Sequence, residues 1–514
     1  MDAFLSAIER LNSVTAPASD VILDINNFIW GKGFFFILTA IALIITFWTR
    51  GIQFRGITEM FRTLKDPAGT EYDGKKSISA FRAFTVSAAS RVGTGNIAGV
   101  ALAITMGGPG AVFWMWVIAS IGAASAFAES LLGQLYKERG KDSYIGGPAY
   151  YMKRGLKAKW LGFIFVAFIV VTYAFVFVAV QTNSIVDAVS TSFAIDVTGT
   201  NNMGFRIMIG LVIMAVSAAI IFGGIRAISS VTEILVPVMA VLYVGLGVLV
   251  IALNLGEIPG ILAMIFEGAF GLREFGVGGL MGALVIGMRR GLLSNEAGMG
   301  TAPNAGATAV VSHPAKQGFV QALGVYFDTL LICSITAFIV LLSNPSYGED
   351  VQGAALTQTA LAGELGNWAI HFLSVAITLF AFSSIIGNYY YGESNIRFVT
   401  ENKGPMAVFR IIVLLFVFFG AIASLDLLWN TADLLNAGMV ITNLVAVLIL
   451  MPQVSKVLKN YEAQRAAGKE PVFHKNDLPE ADLAAWDGTD EIASAEFWET
   501  RAMPVVKLKE ARRK

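Results

Sequence analysis

Long apolar stretches separated by short clusters of charge constrain this chain more than any other feature. A helix that crosses a bilayer needs about 20 mostly apolar residues, and the 514-residue chain contains about eleven such stretches. Only 14% of its residues are charged, against about a quarter in soluble proteins. The sequence therefore predicts an all-α polytopic membrane protein with about 11 transmembrane helices. They are predicted at residues 32–49, 80–105, 111–136, 160–189, 206–222, 232–253, 276–308, 318–342, 368–391, 406–424 and 430–451.

The placement of basic residues predicts the orientation, because cytoplasmic loops collect Lys and Arg. The loops at 50–76 and 137–159 are rich in both, whereas 190–205 contains no basic residue. With an odd number of spans, this alternation places the N-terminus outside the cell and the C-terminus in the cytoplasm. The predicted location is the plasma membrane, which is the inner membrane of a bacterium. We predict an extracytoplasmic segment at 1–31, a transmembrane domain at 32–452 and a cytoplasmic tail at 453–514.

Both ends of the chain have sequence features that are typical of segments that bind a membrane surface. Leu5, Ile8, Leu11 and Val14 have the spacing of a short amphipathic helix that lies on the bilayer. The tail ends in a basic cluster at 507–514, which suits the anionic inner leaflet. A tail that is merely solvated is the alternative.

Two of the predicted spans are rich in residues that interrupt helices. The second contains SAASRVGTGNIAG at 87–99, and the seventh contains GMRRGLLSNEAGMGTAPNAG at 287–306. Glycine and proline at this density unwind a helix, and unwound backbone at membrane depth must face protein or a wet cavity. Close helix packing through glycines such as Gly99 and Gly122 is the alternative.

Each interrupted span begins a run of five spans, at 80–253 and at 276–451, and the two runs start at opposite faces of the membrane. We therefore predict one N-terminal helix followed by a five-plus-five inverted repeat, with discontinuous first and sixth core helices. Paired interruptions of this kind mark the binding site of a transporter.

Four blocks of sequence carry a resemblance to a known family. They are GGPGAVFWMWVIASIG at 107–122, GGPAYYM at 146–152, RGLLSNEAGMGTAPNA at 290–305 and FAFSSIIGNYYYGE at 380–393. From about Ile52 to the last span, the chain resembles the alanine or glycine:cation symporter family. The resemblance implies the leucine-transporter-like fold, transport of alanine or glycine, and coupling to sodium, which protons sometimes replace.

An amino-acid substrate is a zwitterion, so its site must satisfy a carboxylate and an ammonium group. The free N–H groups of the half-helix after Gly93 suit the carboxylate. The ammonium is suited by backbone carbonyls freed at the second interruption and by an amide oxygen such as that of Gln181 or Asn183, of which we favour Gln181. The alternatives are local bonds from Ser90 and Thr94 to helix carbonyls and a helix-to-helix bond from Gln181. The predicted substrate-binding residues are Ser90, Gly93, Thr94, Gly95, Asn96, Gln181 and Asn388.

Sodium prefers hard oxygen ligands. The resemblance implies a sodium ion between carbonyls of the first core helix and two adjacent hydroxyls of the eighth. Ser383 and Ser384 occupy that position in the sequence, and the carbonyls are expected at Val92 and Gly95.

Several charged residues fall inside predicted spans, where each is costly and is a functional candidate. Asp328 is a candidate proton or cation site, and Glu296 and Arg290 are candidates for a paired gate. Structural ion pairs are the alternative for each of them. The set comprises Arg91, Glu129, Asp187, Arg289, Arg290, Glu296, Asp328 and Asp433.

The interrupted spans, together with what the resemblance implies about ion and substrate, predict a sodium-coupled symporter that carries a small neutral amino acid into the cell by alternating access. A proton-coupled carrier and a passive channel are the alternatives. Channels assemble their pores from rings of charge or filter loops of several subunits, whereas this chain has two unlike interruptions in one subunit. The sequence shows no catalytic constellation and no metal-binding histidine set, so we predict no enzyme. The expected partners are the amino acid and membrane lipid, with no nucleic acid.

Overall fold

The computed structural model describes residues 33–70, 77–197, 201–273, 279–348, 353–423 and 425–502, with a few isolated positions elsewhere. The predicted amphipathic helix at Leu5–Val14 and the basic cluster at 507–514 lie outside the described residues.

Helices make up most of the described chain, and a small antiparallel hairpin of β1 (Glu138–Arg139) and β2 (Tyr144–Ile145) joins two of them. The helices are α1 (Phe34–Trp48), α2 (Ile52–Arg55), α3 (Ile57–Leu64), α4 (Ala80–Arg91), α5 (Ala98–Gly107), α6 (Gly110–Leu135), α7 (Pro148–Arg154), α8 (Lys159–Ser192), α9 (Met203–Ile221), α10 (Gly224–Leu253), α11 (Ile258–Ala269), α12 (Gly279–Asn295), α13 (Ala302–Gly306), α14 (Pro314–Leu342), α15 (Gly353–Leu365), α16 (Trp368–Val399), α17 (Lys403–Gly420), α18 (Leu425–Ala466) and α19 (Ala495–Ala502).

Within the described residues, eight helices are long and apolar enough to cross a membrane: α6, α8, α9, α10, α14, α16, α17 and α18. The chain is therefore a multi-pass membrane protein. The predicted number of eleven exceeds eight because α1 is short and because two predicted spans are divided into the shorter pieces α4–α5 and α12–α13.

Local sequence explains where several helices begin. The Ser79 hydroxyl accepts a hydrogen bond from the Arg82 backbone N–H at 3.2 Å and caps α4. Proline stands in the first turn of α7, α11, α13 and α14, where it removes no helical hydrogen bond.

The two interruptions occur at the glycine-rich segments. Between α4 and α5 the backbone forms only a short 3₁₀ turn at Thr94–Asn96. After α12, Glu296 takes a left-handed φ of 56° and Gly298 and Gly300 also have positive φ. Such a conformation is uncommon for a side chain other than glycine. Neighbouring helices supply partners for the freed backbone: the Glu129 carboxylate of α6 accepts hydrogen bonds from the Gly298 and Gly300 N–H groups at 3.3 and 3.0 Å.

The chain after the last predicted span packs against the membrane domain. Helix α18 continues past residue 451 to Ala466, and residues 467–502, here called the tail cover, fold back. The Trp486 indole N–H donates to the Gln134 and Leu135 carbonyls, and its ring lies 4.4 Å from the Lys137 ammonium. The described part of the tail is therefore not a merely solvated segment.

Candidate functional site

A small cavity lies between the two interruptions, at the meeting point of six helices. Its free volume for the centres of water-sized atoms is about 40 Å³. Because one water needs about 10–15 Å³ on that measure, the cavity holds only a few non-hydrogen atoms in this conformation. The cavity is lined by Ser90, Arg91, Gly93, Gly95, Gly99, Tyr173, Phe177, Gln181, Arg290, Leu293, Ser294, Glu296, Asn388 and Trp429.

Five of the predicted substrate-binding residues line this cavity, namely Ser90, Gly93, Gly95, Gln181 and Asn388. The Ser90 hydroxyl donates to the Asn388 Oδ1 at 2.5 Å, so it links α4 to α16 instead of bonding to its own helix. The Gln181 Oε1 accepts a hydrogen bond from the Thr94 N–H at 3.3 Å. The amide of α8 therefore reaches the first interruption.

The other two predicted residues, Thr94 and Asn96, lie beside the cavity. Asn96 accepts a hydrogen bond from the Gly93 N–H at 3.0 Å and donates to the Asp328 carboxylate at 2.6 Å. It therefore holds the backbone of the first interruption in place without lining the cavity. The Thr94 hydroxyl is buried with no hydrogen-bond partner among the described residues. Asn183 donates to the Gly420 and Ala423 carbonyls, which leaves Gln181 as the cavity-lining member of the two α8 amides that we considered.

The two serines predicted for sodium lie against the end of α4. The Ser384 hydroxyl donates to the Ala89 carbonyl at 2.9 Å and to the Val92 carbonyl at 3.3 Å. The Ser383 hydroxyl donates to the Phe380 carbonyl at 2.8 Å and lies 3.4 Å from the Ala89 oxygen. Among the contacts of the described residues, the serine hydroxyls meet the Ala89 carbonyl and not that of Gly95, so the sodium role expected for Gly95 stays a prediction. Ala89 precedes Val92 by three residues, so helical spacing could have identified it.

Sequence reasoning missed the aromatic wall of the cavity. Tyr173 and Phe177 of α8 have ring centroids 5.1 Å apart, and Phe177 lies 6.2 Å from Trp429. Tyr173, Phe177 and Gln181 are spaced four residues apart, which places them on one face of the helix. This spacing could have identified the two aromatic residues from the sequence. The helix is widened into a π-helical turn at Val170–Phe177, a feature that is frequent at functional sites.

The charged residues inside the predicted spans do not form the paired gate of Arg290 and Glu296 that we considered. Arg289 pairs with Asp433, and the Arg290 guanidinium lies 6.0 Å from the Trp429 ring centroid. The described residues contain no ion pair between Arg290 and Glu296, because the left-handed turn at Glu296 directs its carboxylate to the Thr301 hydroxyl at 2.7 Å.

Asp328 has no basic side chain within ion-pair distance among the described residues. Its carboxylate accepts hydrogen bonds from Asn96 at 2.6 Å, from Ser294 at 2.8 Å and from Thr329 at 3.0 Å. The first two donors belong to the two interrupted segments, so Asp328 connects them.

Two interrupted membrane helices around a small polar cavity are the arrangement that marks the binding site of a membrane transporter. The structure superimposes on MhsT in complex with L-phenylalanine with a TM-score of 0.53, over 82% of this chain and 95% of MhsT. At 14% sequence identity, this likeness establishes the fold alone.

Sequence comparison places the chain within one family of membrane transporters. It belongs to the sodium:alanine symporter family, whose model matches residues 15–475, and this membership confirms the resemblance. The chain is 47% identical over 453 residues to the probable sodium/glutamine symporter GlnT of Bacillus subtilis (strain 168), covering 88% of this chain and 92% of GlnT. It is 36% identical over 446 residues to the sodium/alanine symporter AgcS of Methanococcus maripaludis, covering 84% and 94%. The family and these relatives are transporters, which agrees with the prediction of no enzyme.

Proposed function

We propose that this protein is a secondary active transporter that couples the entry of sodium to the uptake of a small neutral amino acid such as alanine or glycine. The observation that carries the proposal is the contact of the Ser384 hydroxyl with the Ala89 and Val92 carbonyls, directly beside the cavity. These are hard oxygen ligands of the type that sodium prefers. The names of AgcS and GlnT support both the ion and the substrate class.

The cavity supports a small zwitterion as the substrate. Its walls offer the half-helix N-terminus after Gly93 for a carboxylate and polar acceptors at Gln181 and Asn388 for an ammonium group. Its small free volume and the aromatic wall leave little room for a large side chain. Glutamine, which appears in the name of one relative, is the substrate to test beside alanine.

We propose further that the chain works by alternating access between two inverted repeats, at 80–253 and 276–451. The interruptions of α4–α5 and of α12–α13 occupy the first span of each run. The loop charges support an external N-terminus and a cytoplasmic C-terminus, and the apolar composition supports a membrane location, which we propose is the bacterial inner membrane. Sodium bridging α4 and α16 would couple the position of the interrupted helix to the occupancy of the ion.

Uptake into proteoliposomes tests this function. An inward sodium gradient is expected to drive concentrative uptake of radiolabelled L-alanine, whereas an equal potassium gradient is not. Ser384→Ala removes one oxygen ligand and is expected to raise the sodium concentration for half-maximal uptake by roughly tenfold, which corresponds to the loss of about 1.4 kcal/mol.

Ser230→Ala is the matched control, since the Ser230 hydroxyl is exposed on α10 and bonds only within its helix. Unchanged sodium dependence in Ser384→Ala would contradict the proposed ion site. The absence of both alanine and glutamine uptake by folded protein would contradict the substrate class.

A proton-coupled carrier is the second candidate function, and Asp328 is the observation that favours it. This buried carboxyl group contacts side chains of both interrupted segments, so its protonation would act on both. Equal uptake under a pH gradient without sodium would establish this alternative.

A further inference from the structure

Glu296 brings a carboxylate to the cavity at the second interruption. Its side chain is buried but lines the cavity, where Oε2 accepts from the Thr301 hydroxyl at 2.7 Å and Oε1 lies 3.4 Å from the Ser90 hydroxyl. Its backbone is held in the left-handed region, a strained conformation that clusters at ligand-binding sites. Among the described residues, no ion pair includes this carboxylate.

The two neighbouring buried carboxylates are each held by three protein donors. Glu129 accepts hydrogen bonds from the Gly298 and Gly300 N–H groups and from the Asn443 amide at 2.7 Å. Asp328 likewise accepts from three side chains. Neither of them lines the cavity. An ionised carboxylate has about four lone-pair sites, and of these three carboxylates that of Glu296 is the one that lines the cavity and can direct a lone pair at a ligand.

Glu296 has no cation within ion-pair distance among the described residues, although Arg91 and Arg290 also line the cavity. A buried carboxylate without a close partner is costly, more so at membrane depth. Arg91 lines the same cavity, but its Nε and Nη2 have no hydrogen-bond partner among the described residues. An α-ammonium group beside Glu296 would supply a positive charge and three N–H donors, while the substrate as a whole stays neutral.

We propose that Glu296 binds the α-ammonium group of the substrate and makes the transporter selective for amino acids over carboxylic acids of the same skeleton. This inference rests on the proposed function. It differs from the expectation that backbone carbonyls and an amide oxygen alone accept the ammonium, because it gives the ammonium an ionic partner.

L-Lactate is the probe for this selectivity, since it matches L-alanine except that a hydroxyl replaces the ammonium group. The loss of a hydrogen bond between charged groups corresponds to about a 10- to 100-fold loss of affinity. In the wild-type protein, L-lactate is therefore expected to compete with alanine uptake at least about tenfold more weakly than unlabelled alanine does.

Glu296→Gln keeps the shape of the side chain and removes its charge. The cavity would then be lined by Arg91 and Arg290 without a carboxylate, which favours an anion that has no ammonium. In purified full-length protein in proteoliposomes, the alanine KM is expected to rise about 10- to 100-fold, and the ratio of lactate to alanine affinity is expected to rise by at least about tenfold. Glu296→Asp keeps the charge and should keep the wild-type ratio.

Glu129→Gln is the matched control, because it neutralises a buried carboxylate at the same interruption that does not line the cavity. This variant is expected to keep the wild-type lactate-to-alanine ratio at any level of uptake. A Glu296→Gln protein that takes up alanine with an unchanged ratio would overturn the inference and leave the symporter intact. Should Glu296→Gln not fold, lactate competition within about threefold of alanine in the wild type would overturn it. Absence of alanine uptake by the wild type would instead contradict the proposed function.

Discussion

Gly93→Ala is expected to abolish sodium-driven alanine uptake and to leave the protein folded. A Cβ atom at this position would lie 2.5 Å from the Ser384 hydroxyl and 3.2 Å from the Gln181 amide nitrogen. The φ of Gly93 is −130°, which alanine adopts without strain, so the effect is a steric one confined to the cavity. Since the Ser384 hydroxyl is held by two α4 carbonyls, it cannot move away and keep the proposed sodium contacts.

The expected loss is at least about 100-fold in initial uptake rate, the cost of misplacing binding groups by about 1 Å. Uptake should be measured beside the apparent unfolding temperature of the purified variant, which we expect to stay near the wild-type value. Gly245→Ala on α10 is the control, because a Cβ there meets nothing within 4 Å. A Gly93→Ala protein with wild-type uptake and sodium dependence would show that neither ion nor substrate passes beside this glycine.

The interruptions could be predicted from the sequence because they depend on local chemistry. Glycine and small polar residues at 93–96 and at 294–301 disfavour a continuous helix wherever they occur, and the structure ends α4 at Arg91 and α12 at Asn295. The end of α18 could not be predicted in the same way. Apolar character stops near residue 451, yet the helix continues through Pro452 to Ala466, because the polar extension packs against α3 and the tail cover through Tyr461 and Gln464.

The residues of the site also differ in whether local sequence could predict them. Ser90, Gly93 and Gln181 could be named from motifs that lie within single spans. The cavity-facing position of Glu296 could not, because it depends on a left-handed turn and on the approach of Ser90 from 206 positions earlier in the chain. The same holds for Trp429, which meets Phe177 only when α8 and α18 pack together. Contacts between residues of distant helices cannot be predicted from any single stretch of the sequence.

Lys316→Met is expected to destabilise the protein more than the substitution of any other single charged residue where the tail cover meets the membrane domain. The Lys316 ammonium is fully buried, 2.7 Å from Asp66 and 2.5 Å from Glu470 of the tail cover, and it lies 4.3 Å from the Trp498 ring. Removal of the cation leaves two carboxylates facing each other, and among the residues that the structure describes only Arg62 remains to pair with Glu470. Loss of one partner from a buried ion pair costs about 3–5 kcal/mol.

The pH dependence of this penalty follows from the two carboxylates. Burial raises the pKa of Asp66 above its ordinary 3.8, even beside Lys316. Burial acts in the same direction on Glu470, but the charges and hydrogen bonds of Lys316 and Arg62 outweigh it and hold its pKa below 4.5. In Lys316→Met both pKa values should rise. The penalty is therefore greatest at neutral pH and shrinks as acid protonates the carboxylates, since neutral carboxyl groups no longer repel each other.

Thermal unfolding in detergent at neutral and acidic pH measures both effects. Lys456→Met is the control, because Lys456 forms an exposed ion pair with Glu480, and such pairs contribute at most about 1 kcal/mol. Adding Asp66→Asn to Lys316→Met removes the carboxylate that has lost its cationic partner, so it should recover part of the lost stability at neutral pH and little at acidic pH. Equal destabilisation by Lys316→Met and Lys456→Met would mean that the buried cluster does not hold the tail cover on the membrane domain.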